Sequence, residues 1–410
     1  KCISPDVTIS NEDIFYLHRQ KDGYDIYFIT NVLQEDKGVV EITFEKIGVP
    51  ERWNPNTGEI EKLNVYQIKD GRLNIKLNFP PSESHIIIIR DEKPTTFITE
   101  SNIEIENYDG KEITGFGNPN SNEVSFSVFK DGKNVNLNTP VKQKLPDIML
   151  GNKFKFNVED DNVHCISNWK MKTIKNSDVK TTYAKTNYND NDWLNVTLGA
   201  WEMQLPQERD EEVYPVTLWY RTSFEAEKLV ANMRLLIDGF SGKSFKLFIN
   251  GKEVKGRGRR SKLDAEIKEI NIDKYLINGH NTVAVRLVVT RRTDGILDLL
   301  KIVGDFSLKD KDNQYIITEK KNELDFGDWT KQGYPFFSGT AVYETTFDLS
   351  KDYMDGKLFL NLSCGEDVAE IIINNSEPIV IPWNPYKIDI TRHAKAGSNN
   401  IKIKITNTLI

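Results

Sequence analysis
The chain has 410 residues, 38% of them hydrophobic, and a formal net charge of −7. That size suits about two to four domains, and the ordinary apolar content argues against a disordered chain. The acidic balance speaks against nucleic acid or an anionic membrane as main partner, and no run of 18 apolar residues is present to span a bilayer.

Residues 1–92 read as a small β-sandwich. Residues 25–29 and 39–44 are strands by their β-branched and aromatic content, with a polar turn at 34–38. Residues 53–58 carry the Pro and Gly of a tight loop. Residues 73–77 alternate strictly, so one face is buried, whereas residues 86–89 are four isoleucines, which suits a central strand covered on both sides. Residues 93–150 form a strand-bearing connector that packs on a neighbour.

The rest of the chain says one thing twice. Tyr220-Arg-Thr-Ser-Phe224 is answered by Tyr343-Glu-Thr-Thr-Phe347, and an Asp-Trp pair precedes each (Asp192-Trp193, Asp328-Trp329). An apolar run ending in Asn follows each, at Asn250 and Asn374. A Gly/Asn turn into an alternating strand closes each, at Asn278-Gly-His-Asn281 and Gly397-Ser-Asn-Asn400. Units of this size, built of strands and turns, predict two diverged jelly-roll β-sandwiches, residues 151–309 and 310–410. The fold class is all-β: tandem β-sandwiches, two of them galactose-binding-like jelly rolls.

Familiar catalytic motifs are absent. Gly242-Lys243-Ser244 lacks the upstream glycine of a phosphate-binding loop and reads as a hairpin turn. The five histidines are scattered singly, and the three cysteines form neither a disulfide framework nor a zinc pattern. A glycosidase acid pair is defined in space, so spacing nominates none among 61 carboxylates. Aromatic rings are better candidates, because sugars stack their C–H faces on them while polar side chains take the hydroxyls. Trp193, Trp329, Tyr220 and Tyr343 occupy equivalent places in both copies and read as core. Trp201 and Trp383, without counterparts, read as ligand-facing, and Tyr386 lies in the Trp383 loop. The basic segment 257–262, with Arg257 and Arg259, is a contact for an acidic sugar or for an acidic neighbouring domain, or else a solvated hairpin tip. Asp190 and Asp192 offer oxygens for a structural calcium, although an Asx-rich turn explains them equally well. No other cofactor is implied.

The segment Phe336-Phe-Ser-Gly-Thr-Ala-Val-Tyr343, with Thr346 and Phe347, resembles the C-terminal sandwich of family 106 glycoside hydrolases, which are α-L-rhamnosidases and their relatives. Trp383-Asn-Pro-Tyr386 and Gly397-Ser-Asn-Asn400 fit the same tail. Pro5, Asp6, residues 15–19 including His18 and Arg19, residues 25–28 and Trp53-Asn-Pro-Asn-Thr-Gly58 are similar to the segment that follows that family's catalytic barrel. Asp192, Trp193 and residues 220–224 resemble the sugar-binding jelly roll of family 2 glycosidases. Nothing here alternates strand and helix as a (β/α)₈ barrel demands, and the resemblance places that barrel upstream of Lys1. It therefore implies an accessory region of a secreted, periplasmic or cell-surface bacterial glycoside hydrolase. Such a region braces the upstream catalytic domain and holds polysaccharide or oligosaccharide, and no catalytic residue is assigned. Two alternatives stay open: an active hydrolase with its site at a domain junction, and a cell-surface adhesion or scaffold protein.

Overall fold
The computed structural model describes residues 5–408, apart from residues 56, 118–122, 142–144, 175–180, 206–213, 257, 262–263 and 313. The protein is all-β: among the described residues helical geometry is confined to short 3-10 turns, and tandem sandwiches account for the strands. The chain divides into two compact units. One comprises residues 1–150, 346–401 and 410, and the other residues 151–345 and 402–409.

The first unit opens with nine strands: β1 (Val7–Ile9), β2 (Ile14–Lys21), β3 (Tyr24–Asn31), β4 (Val39–Phe44), β5 (Val49–Trp53), β6 (Ile60–Lys62), β7 (Gln67–Lys69), β8 (Arg72–Asn78) and β9 (Ser84–Arg90). They build two antiparallel sheets, ordered β1-β4-β8-β7 and β2-β3-β9-β5-β6. Period-2 alternation turns Leu73, Ile75 and Leu77 of β8 toward Tyr27 and Ile29 of β3 and Ile87 and Ile89 of β9, in one core. Residues 93–150 are not separate from this sandwich. Phe97, on the strand Thr96–Ser101, enters the same core and stacks on Tyr66 at 4.5 Å. That strand pairs with Glu123–Lys130, which pairs in turn with Lys133–Pro140.

In the second unit the strands Val216–Ala226 and Gly279–Val289 pair over their whole length, from Val216↔Val289 to Ala226↔Gly279. Their inward residues Leu218, Tyr220, Val285 and Leu287 share a core with Leu235, Ile237 and Ile302 of the facing sheet. Two strand pairings cross the expected break between the copies. The strand Lys153–Val158, assigned by position to the first copy, pairs with Glu323–Asp325 and Thr340–Leu349 of the second. The hairpin of Phe306–Lys311 and Gln314–Glu319 straddles the expected break at 309/310, and its second strand runs parallel to Val216–Ala226. Backbone pairing overrides sequence order here, because short strands find whichever sheet edge leaves no N–H unpaired.

The two copies share one structural device. Asn250 and Asn374 each follow an apolar strand with a left-handed φ of +49°, a conformation that asparagine tolerates better than most residues. The Asn250 side chain accepts from the Thr282 N–H at 2.9 Å and donates to the Asn281 Oδ1 at 2.8 Å. The Asn374 side chain accepts from the Asn400 N–H at 3.0 Å and donates to the Asn399 Oδ1 at 2.7 Å. Asn281 closes its turn by donating to the Ile277 and Gly279 carbonyls and accepting from the Ile277 N–H. Asn399 does the same with Lys395 and Gly397. Both asparagines are buried, so each turn meets its polar requirements without water.

Candidate functional site
The predicted ligand-facing aromatics separate into one exposed ring and two buried ones. The strand Ile379–Ile381 leads into a loop at residues 382–386. There the Asn384 side-chain amide donates to the Gly365 carbonyl at 3.4 Å, and the Tyr386 hydroxyl donates to the Asp367 carbonyl. These bonds fasten the loop to the facing turn and leave Trp383 55% exposed, the only exposed tryptophan among the described residues. Asn384, next to it in the chain, is exposed as well. An open indole with an amide beside it is suited to a sugar ring. Burial pushes the Cys364 thiol in this turn up to about 11, so it stays protonated and offers no nucleophile.

Tyr386 is a correction. It is buried, because Tyr386, Ile388 and Ile390 alternate inward together, and its role is to anchor the Trp383 loop. Trp201 is a second correction, with none of its surface exposed. Its indole N–H donates to the Arg291 carbonyl at 3.0 Å, and its ring joins the core of the larger sandwich. Loop aromatics follow no period, so sequence alone does not distinguish a ring that caps a core from one that meets solvent.

The charged candidates are engaged by neighbours. Asp190 lies between Lys170 Nζ at 2.7 Å and Arg221 Nε at 2.8 Å, and Asp192 pairs with Lys172 at 2.8 Å. Burial raises the Asp190 carboxyl, but Lys170 and Arg221 outweigh it and hold it below the usual range. With cations already compensating both carboxylates, the structure does not bring them together as calcium ligands. Arg259 directs Nε and Nη2 onto one Glu269 oxygen, at 2.8 and 2.7 Å. Arg257 lies outside the described residues.

His18 and Arg19 go to opposite faces of β2. The His18 ring lies between the Asp6 and Asp25 carboxylates and stacks on Tyr27 at 4.2 Å, tying β1 to the hairpin of β2 and β3. Asp25 also accepts from Gln20 and Lys46. Burial pushes its carboxyl up, but these bonds prevail and bring it down to about 2. This is a closed ion network with a structural role.

The feature that sequence reasoning missed is on the outer face of the same sheet. Cross-strand register aligns Leu17, Phe28, Ile86, Trp53 and Ile60 in one row across β2, β3, β9, β5 and β6. Leu17 is 52%, Phe28 41% and Ile60 53% exposed, and Phe15 beside them is 56% exposed. A sandwich face left to water is ordinarily polar. An apolar row running across all five strands is the mark of an interaction surface. Residues 26–29 and 86–89 are apolar in sequence, but the row itself emerges only from the cross-strand register.

No protein-family model matches the chain. Over 446 aligned positions it is 23% identical to a protein of Formosa agariphila provisionally named a β-glucuronidase, covering 96% of this chain and 37% of that protein. The chain thus spans little more than a third of that relative's length. Among solved structures, a rhamnosidase from Novosphingobium sp. PP1Y matches 73% of this chain and 25% of its own at 14% identity, with a TM-score of 0.23. The Bifidobacterium dentium β-glucuronidase matches 62% of this chain and 43% of its own at 13% identity, with a TM-score of 0.30. The chain is similar to glycoside hydrolases.

Proposed function
We propose that this chain is a non-catalytic β-sandwich region of a larger secreted or cell-surface glycoside hydrolase. It braces the catalytic module through the outer face of the β2-β3-β9-β5-β6 sheet and holds polysaccharide at Trp383. The observation that carries this reading is the apolar row from Leu17 to Ile60, which one sandwich has no reason to keep in water. The Formosa agariphila relative, nearly three times the matched length, supports a partner module within the same polypeptide.

The test is made in the full-length polypeptide. Leu17→Asp with Phe28→Asp should loosen the sandwich region from the catalytic module, seen as faster limited proteolysis between them and a lower thermal midpoint of activity. The same pair should leave the unfolding free energy of the isolated 410-residue chain within about 1 kcal/mol of wild type, since both side chains are exposed. An unchanged proteolysis rate and activity midpoint in the full-length variant refutes the docking role. Sugar release from rhamnosides or glucuronides by the isolated chain refutes the non-catalytic reading.

A further inference from the structure
The larger sandwich has a groove of about 610 Å³, lined by Asn232, Arg234, Lys255, Arg259, Glu269 and Asn271 with Gly256, Gly258 and Ile270. Its volume falls within the range of about 300–1,000 Å³ common to small-ligand sites. Three cations and one carboxylate line it. Arg234 donates to the Asn232 carbonyl at 2.9 Å, pairs with Asp161 behind the wall, and keeps a buried Nε 3.4 Å from Glu269 without a hydrogen bond. Glu269 is occupied by Arg259. Asp273, next to the groove, is taken up by the Asn232 and Met233 N–H groups and by the Asn271 amide. Lys255 has no ion-pair partner among the described residues; its backbone N–H is held by the Tyr275 hydroxyl at 3.2 Å, which fixes where the side chain leaves the wall.

The carboxylates at the groove are therefore satisfied, while the Lys255 ammonium has no such partner among the described residues and the Arg259 side chain, paired on one side with Glu269, stays 66% exposed. Among the described residues no aromatic ring lines the groove, so a flat base or neutral ring has nothing there to stack on. Amide groups from Asn232 and Asn271 complete a wall suited to a hydroxylated ligand that carries an oxyanion. We propose that this groove binds an acidic sugar unit of a polysaccharide, its carboxylate or sulfate meeting Lys255 and Arg259 and its hydroxyls meeting the two asparagines. The inference deepens the polysaccharide-holding part of the proposed function, at a second place in the chain.

The whole chain is titrated calorimetrically with trigalacturonate, with a sulfated trisaccharide and with neutral maltotriose, using wild type, Lys255→Gln and Trp383→Ala. Lys255→Gln removes no ion pair among the described residues, so the fold is retained. Loss of one charge-assisted contact predicts about tenfold weaker binding of the acidic sugar by Lys255→Gln, with its binding of neutral maltotriose unchanged; the two acidic arms then show whether carboxylate or sulfate is preferred. Equal affinity of Lys255→Gln and wild type for both acidic sugars overturns the groove, as does acidic-sugar binding no tighter than maltotriose. Loss confined to Trp383→Ala also overturns the groove while leaving the Trp383 site standing.

Discussion

The paired asparagine turns give a measurable test of the duplicated architecture. Asn281→Ala deletes a side chain with none of its surface exposed. Four hydrogen bonds go with it: from the Ile277 N–H and the Asn250 amide at 2.9 and 2.8 Å, and to the Ile277 and Gly279 carbonyls at 2.7 and 3.0 Å. Net hydrogen bonds contribute about 1 kcal/mol each, and a stranded buried donor costs about 1–3 kcal/mol. Some of the freed groups regain water at the turn surface, so the expected loss is about 3 kcal/mol. Asn399→Ala removes the equivalent four bonds, to Lys395, Gly397 and Asn374, and should cost a similar amount in its own unit. Asn281→Asp keeps both acceptor positions but turns an anion toward two carbonyl oxygens, so it should be no better than alanine. Urea unfolding followed by tryptophan fluorescence and far-ultraviolet circular dichroism measures all three. A loss below about 1 kcal/mol in either alanine variant, or a stabilised aspartate variant, would refute the asparagine pair as the support of each turn.

Other outcomes follow from burial and charge. Burial holds His85 and His164 down to about 4, so the unfolded chain binds protons below about pH 6.5 that the folded chain refuses. Stability should be full above neutrality and decline from pH 6.5 toward 4, by up to about 1.4 kcal/mol per pH unit for each histidine; denaturation midpoints that stay flat between pH 7 and 5 would contradict this. Trp201→Ala should cost about 3–5 kcal/mol by opening a cavity in the core, whereas Trp383→Ala should change stability by under about 0.5 kcal/mol and abolish binding of neutral glycans on an array. Retained glycan binding by Trp383→Ala would show that the exposed indole is not the sugar platform.

Much of the fold could be read from residue order because a strand writes its buried face into every second position. The alternation of residues 73–77 reappears as the buried Leu73, Ile75 and Leu77. Equivalence between copies also served well: Trp193, Trp329, Tyr220 and Tyr343 are all buried. The site was harder to read. Trp201, Tyr386 and Trp383 all stand in or beside loops rich in polar residues, and only the hydrogen bonds made by the first two separate an anchor from a platform. The outer apolar row required registers across five strands, which no local pattern contains. The four isoleucines at 86–89 were read as covered on both sides, yet Ile86 is only half-buried. Sequence shows that a face is apolar, not what lies against it.

The strand Lys153–Val158 sits between Glu323–Asp325 and Thr340–Leu349, although residues 159–322, most of them in another sandwich, separate it from them in the chain. Cutting the gene at the apparent seam near residue 309 would strand this ribbon on the wrong fragment and leave its two former neighbours with raw edges. Such half-molecules should clump or swap partners. Dissection into working pieces has to follow the path of the backbone ladders rather than the rhythm of the repeat.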